Sequence, residues 1–98
     1  MRADTRRLRW RRHPDTAFVD VRGRILVLPL TPSPMSSPYA MQASVAEAWR
    51  VLAADAQDFT DIAERLALLH GVAADTIVDD LERMLTEMEK LMLVESLR

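Results

Sequence analysis

The period of the apolar residues changes once along this chain of 98 residues, and a proline- and serine-rich stretch marks the change. Ahead of it, Thr16 to Val21 (T-A-F-V-D-V) and Arg24 to Leu30 (R-I-L-V-L-P-L) are rich in β-branched and aromatic residues and flank Arg22-Gly23. Two such runs around a glycine-containing pair predict an antiparallel hairpin. Pro29 cannot donate to a ladder, so it belongs at a strand end or on an unpaired edge. Residues 31–38 (T-P-S-P-M-S-S-P) hold three prolines and three serines and predict a loop. Tyr39 to Gln42 is a short candidate third strand, with Tyr39 and Met41 on one face and Ala40 and Gln42 on the other.

Beyond Gln42 the spacing is helical. Ser44 and Glu47 match the Ser-x-x-Glu capping box, and Val45, Ala48, Trp49 and Leu52 share one face of a first helix running to about Ala54. Trp49 is expected in the core. Thr60 is the expected N-cap of a second helix that ends near His70, with Gly71 as its stop. Ile62, Ala63, Leu66 and Leu69, with Ala67 nearby, form its buried stripe. A third helix runs from about Asp75 to Leu91. Along it, Ile77, Leu81, Met84, Met88 and Leu91 make one stripe, widened by Val78, Leu85 and Met92 to an arc of roughly 140°. Packing against both sheet and helices accounts for such an arc, and so does a flank left open for a partner, which three methionines suit. The pattern predicts an α+β fold, winged-helix-like, with a three-stranded antiparallel sheet followed by three helices.

The net charge of −2 conceals a division. Residues 1–24 carry eight Arg and three Asp, a charge of +5, and residues 25–98 carry −7. Residues 1–13, with Arg2, Arg6, Arg7, Arg9, Trp10, Arg11, Arg12 and His13, read as a basic arm ahead of a domain over 14–98. The arm is either a solvated tail or a phosphate-gripping segment. A winged-helix layout with such an arm makes a nucleic-acid-binding regulator the alternative function. Against it, Asp55 to Glu95 hold eleven acidic and three basic residues, which a polyanion would repel.

No catalytic constellation is present. Neither His13 nor His70 has an acid or nucleophile partner at a telling spacing, and His70 suits the negative end of a helix dipole. Asp79 and Asp80 point about 100° apart on a helix and make no acid–base dyad. The absence of cysteine excludes disulfides, thiol catalysis and Cys-ligated metal, and two glycines cannot build a phosphate-cradling loop. No enzyme activity, cofactor or metal is expected. The longest strongly apolar run, Ile25 to Leu30, falls far short of the about 20 residues a membrane span needs, and no secretory signal is evident. A cytoplasmic address is the expectation.

Four segments line up in order: Tyr39-x-Met41-Gln42, Ala46-x-Ala48-Trp49-x-x-Leu52, Thr60-x-Ile62-Ala63-x-x-Leu66, and Asp80-Leu81-x-x-Met84-Leu85-x-x-Met88-x-x-x-x-Leu93-Val94. Together they resemble the PqqD-like family, the recognition elements for ribosomally made, modified peptides, over Tyr39 to Val94. Met41 and Gln42 stand where the family commonly has Leu and Asn, and Met92 where it often has Gly. The 31–38 stretch replaces a tight turn, and the Arg-rich arm is not a family hallmark. The resemblance implies a non-catalytic adaptor that binds the leader of a precursor peptide by strand addition. It would present that leader to a modifying enzyme: a maturase, a cyclase or, as in lasso-peptide pathways, a leader peptidase. The implied peptide-binding residues are Tyr39, Ala40, Met41 and Gln42 on the third strand, with Ile77, Leu81, Met84 and Met88 as apolar anchors and Asp80 and Arg83 as readers of charge on helix three.

Overall fold

The computed structural model describes residues 5–30 and 37–98. A 3-10 turn at Thr5–Arg7 leads into β1 (Arg9–Arg12), followed by β2 (Thr16–Val21), β3 (Arg24–Pro29) and β4 (Tyr39–Met41). Then come α1 (Ala43–Val51), β5 (Gln57–Asp58), α2 (Phe59–His70), α3 (Val78–Lys90) and β6 (Val94–Leu97). The chain is α+β, with three helices and two three-stranded antiparallel sheets ordered β2–β3–β4 and β5–β1–β6. Of the loop expected at 31–38, residues 31–36 lie outside the described residues.

The hairpin forms because Arg22 (φ 53°) and Gly23 (φ 81°) take the two successive left-handed conformations of a type I′ turn. Its register pairs Val21 with Arg24 and Thr16 with Pro29, and Pro29 ends the strand as expected. Beyond the last pair, Leu30 N–H donates to Asp15 C=O at 2.7 Å. β4 then pairs with β3 through Ile25–Met41 and Val27–Tyr39.

The second sheet corrects the reading of Arg9–Arg12 as part of an arm ahead of the domain. Arg9–Arg12 form its central strand, between Gln57–Asp58 and Val94–Leu97. Trp10 is fully buried, and its indole N–H donates to Thr5 C=O at 3.1 Å. The alternating positions around it are arginines, which keep their charge at the surface by pairing locally. Arg6 meets Asp79 and Glu82 on α3, Arg11 meets Glu95 of β6, and Arg9 donates to the Arg98 carbonyl at 3.0 Å. Hydrogen bonding to Asp79 is the main reason the Arg6 guanidinium is held above its ordinary pKa.

All three helix starts differ from expectation, α3 beginning at Val78 after a 3-10 turn at Ala74–Thr76 instead of at about Asp75. The chain leaves β4 through Ala43 in the left-handed region (φ 51°), so α1 begins one residue before Ser44, and no side chain caps it. Ser44 is thereby inside the first turn, and Glu47 reaches His70 Nε2 at 2.9 Å instead of closing a capping box. α2 begins at Phe59, ahead of Thr60, because the preceding residues Gln57–Asp58 are fixed by pairing with β1. Its end agrees with the sequence. Gly71 (φ 67°) and the bonds Val72 N–H to Ala67 C=O and Gly71 N–H to Leu68 C=O complete a Schellman motif. Leu69, assigned to the buried stripe, is exposed because this last turn projects past the core, whereas Ala67 is buried.

One core joins the two sheets to the helices. Trp10, Ile25, Val27, Met41, Trp49, Leu52, Ile62, Leu85 and Leu93 are buried in it. Trp49 is fully buried, as expected, and its ring meets Phe18 edge-on at 5.5 Å. Arg12 lies over both rings, with its carbon Cζ 4.7 Å from the Phe18 centroid and 5.1 Å from that of Trp49. Two of its N–H groups donate to Trp49 C=O, and burial lowers its pKa. α3 ends in a second Schellman motif, Leu93 N–H to Met88 C=O and Met92 N–H to Glu89 C=O, with Met92 in the left-handed position (φ 64°).

Candidate functional site

β4 is an edge strand, and the backbone pattern dictates what that edge shows. The Leu30–Asp15 bond fixes the parity of the hairpin: Asp15, Ala17, Val19 and Val21 exchange bonds with Leu30, Leu28, Leu26 and Arg24. Ile25 and Val27 of β3 therefore bond outward to Met41 and Tyr39. That leaves the N–H and C=O of Ala40 on the open side of β4, flanked by the Pro38 carbonyl and the Gln42 N–H.

Side chains on β4 alternate as the sequence predicts. Met41 is buried, Tyr39 half-buried, and Ala40 and Gln42 exposed. Met41 cannot touch a ligand directly. It anchors the strand in the core beneath the edge.

Between this strand, the start of α1 and one flank of α3 lies a groove made of two adjoining hollows. One, of about 280 Å³, is walled by Leu66, Val72, Ile77, Leu81 and Met84, with Ser44, His70, Thr76 and Asp80 at its margin. The other, of about 310 Å³, runs along Tyr39, Val45, Met84, Met88, Arg83 and Glu87. Ser44, Asp80 and Met84 border both, so the hollows adjoin. Leu81 and Met88 are almost fully buried and form the floor, while Ile77 and Met84 are half-buried walls. Leu85, which completes the wide arc read from the sequence, points wholly into the core.

The rim is charged. Arg83 donates to Asp80 Oδ1 at 3.3 Å one helical turn away, and both are largely solvated. The His70–Glu47 contact ties the end of α2 to α1 beside the first hollow. On the other flank of α3, Asp79 and Glu82 are occupied by Arg6.

Seven of the ten sequence-predicted site residues, Tyr39, Ile77, Asp80, Leu81, Arg83, Met84 and Met88, line the two hollows, whereas Ala40, Met41 and Gln42 do not. Sequence reasoning missed Ser44, Val45, Leu66, His70 and Val72 as lining. Val72 lies past the stop of α2, where no periodicity points to it, and Leu66 reads as plain core. Chemically the groove offers apolar contact, main-chain hydrogen bonds and a few rim charges. Among the described residues no cluster of three or more His, Asp or Glu is placed to hold a metal ion, and no helix is long and apolar enough to cross a membrane. Comparison with family models, curated proteins and solved structures finds no match to this chain.

Proposed function

We propose that this chain is a non-catalytic adaptor that binds an extended peptide, the leader of a ribosomally made precursor, by adding it as a strand to β4 over the flank of α3. The observation that carries this reading is the conjunction of an open strand edge at Ala40 with two adjoining hollows along α3, the nearer of which reaches Tyr39 of the same strand. Strand addition takes affinity from main-chain bonds and specificity from alternate side-chain pockets. The four exposed backbone groups from Pro38 to Gln42 contribute about 0.5–1.5 kcal/mol each when paired. Two or three apolar leader side chains in the groove contribute about 1.5–3 kcal/mol each. Ordering the leader costs about 2–5 kcal/mol, before the association entropy. Micromolar binding is consistent with those terms. The resemblance to PqqD-like proteins supports the same role, and with it a winged-helix-like architecture and a modifying enzyme as second partner; the cytoplasmic address expected from the sequence suits that role.

The nucleic-acid alternative loses its main support, because Arg6, Arg9, Arg11 and Arg12 are engaged within the fold. The test is a fluorescence-anisotropy titration of a labelled leader peptide encoded beside this gene. Ala40→Pro removes the outward N–H without touching the β3 ladder, and it should weaken binding about tenfold or more. Ile77→Asp and Met84→Asp should do the same through the groove. Binding that is absent at tens of micromolar, or indifferent to all three changes in folded protein, refutes the proposal.

A further inference from the structure

Among the described residues nothing covers the outer face of the β2–β3–β4 sheet. Ile25 and Val27 turn inward and are fully buried, so Leu26 and Leu28 turn outward beside Val19 and Val21 of β2. These four side chains are 38–54% exposed and form one uninterrupted apolar strip on a chain of only 98 residues. Strips of this kind on small soluble domains mark contact surfaces.

The two ends of the strip carry opposite charge. The pairing parity puts Asp15 on this face at the base of the hairpin and Arg24 on it at the tip. Both are exposed, and neither side chain has a hydrogen-bond or ion-pair partner among the described residues. They stand roughly 20 Å apart at the ordinary strand rise. An apolar strip with a carboxylate at one end and a guanidinium at the other is complementary to itself turned end for end. In a parallel overlay Arg24 would face Arg24 and Asp15 would face Asp15, which like charges forbid. In an antiparallel overlay each Arg24 meets the other copy's Asp15, and the four aliphatic side chains of each copy are covered.

From this we propose that the outer sheet face is a homodimer interface, in which two copies pack face to face with their hairpins antiparallel. The arrangement is isologous and closes on itself. The groove beside β4 opens on the opposite side of the sheet, toward α3, so the dimer carries two independent grooves, and the inference does not depend on what they bind.

Sedimentation equilibrium of the full chain, from micromolar to near-millimolar concentration, tests it. The wild type should show a reversible monomer–dimer equilibrium. Val19→Asp should weaken dimerisation about a hundredfold or more by burying a charge at the centre of the strip. Asp15→Arg and Arg24→Asp should each weaken it about five- to tenfold, since each breaks two symmetric pairs, and the double exchange D15R/R24D should restore it. Far-ultraviolet circular dichroism checks that each variant is folded, and the charge exchange remains decisive if Val19→Asp is not. A wild type that is monomeric throughout overturns the proposal, including one that binds anionic lipid vesicles through this face. So does a dimer indifferent to the charge exchanges.

Discussion

Replacing Trp10 by alanine tests whether residues 9–12 are a tail or the middle of a sheet. Trp10 is fully exposed to solvent in the first case. In the structure it has no solvent exposure, and its indole N–H is bonded to Thr5 C=O at 3.1 Å. Truncating a buried tryptophan to alanine costs about 3–5 kcal/mol in lost transfer energy and residual cavity. The Thr5 carbonyl, itself next to a buried side chain, loses its indole partner, which adds about 1 kcal/mol. A domain of this size has about 5–15 kcal/mol in total, so the variant should lose between about a quarter of the wild-type stability and all of it. At about 4–8 °C per kcal/mol for domains up to this length, a loss of 3 kcal/mol corresponds to a fall in Tm of about 12–24 °C. Trp10→Phe keeps most of the apolar volume and loses the N–H donor, so it should fall in between. Urea denaturation followed by circular dichroism reads both variants on one scale. A loss below about 1 kcal/mol for Trp10→Ala would show that β1 contributes no packing, and the central-strand assignment would be wrong.

Other outcomes follow from local geometry. Met92→Gly relieves a left-handed backbone that costs a non-glycine residue about 1–2 kcal/mol; Met92 is half-buried, so a net rise in Tm of about 2–6 °C is expected by thermal melting. The Asp20 carboxyl is held below the usual carboxylate range by its hydrogen bonds from Arg50 at 2.8 and 3.0 Å. Its contribution is therefore present above the unfolded-state pKa and lost as pH falls through the depressed folded value. Asp20→Asn should remove that part of the acid limb, and NMR titration of the Asp20 carboxyl should show the low midpoint directly. Arg12→Met deletes the cation lying over Phe18 and Trp49 and the two bonds to Trp49 C=O; a loss of about 1–3 kcal/mol in urea is expected.

The sequence was most legible where one element's own residues decide the outcome. The hairpin is specified by Arg22-Gly23 and the β-branched runs beside it. The end of α2 is specified by Gly71, whose left-handed conformation costs it little. The apolar faces of α1 and α3 follow from spacing, and with the alternation of β4 they locate the groove. Reading failed where the deciding partner is far along the chain. Arg9-Trp10-Arg11-Arg12 has one apolar residue in four and no strand signature of its own, yet Val94–Leu97 and Gln57–Asp58 supply the hydrogen bonds that make it a strand. The capping box failed for the same reason, since His70 takes the Glu47 carboxylate from another helix.

By itself, then, the sequence determined the class of fold, the hairpin, the helix faces and the absence of thiol chemistry, because periodicity and residue type act over a few residues. Tertiary structure alone decided the fate of the charge division. The positive segment is bound into the acidic body through Arg6–Asp79 and Arg11–Glu95, contacts between residues more than seventy positions apart. Tertiary structure also decided which flank of α3 stays open. Asp79 and Glu82 are taken up by Arg6 on one side, and on the other the groove remains beside β4, because a strand of three residues is too short to cover a helix of thirteen.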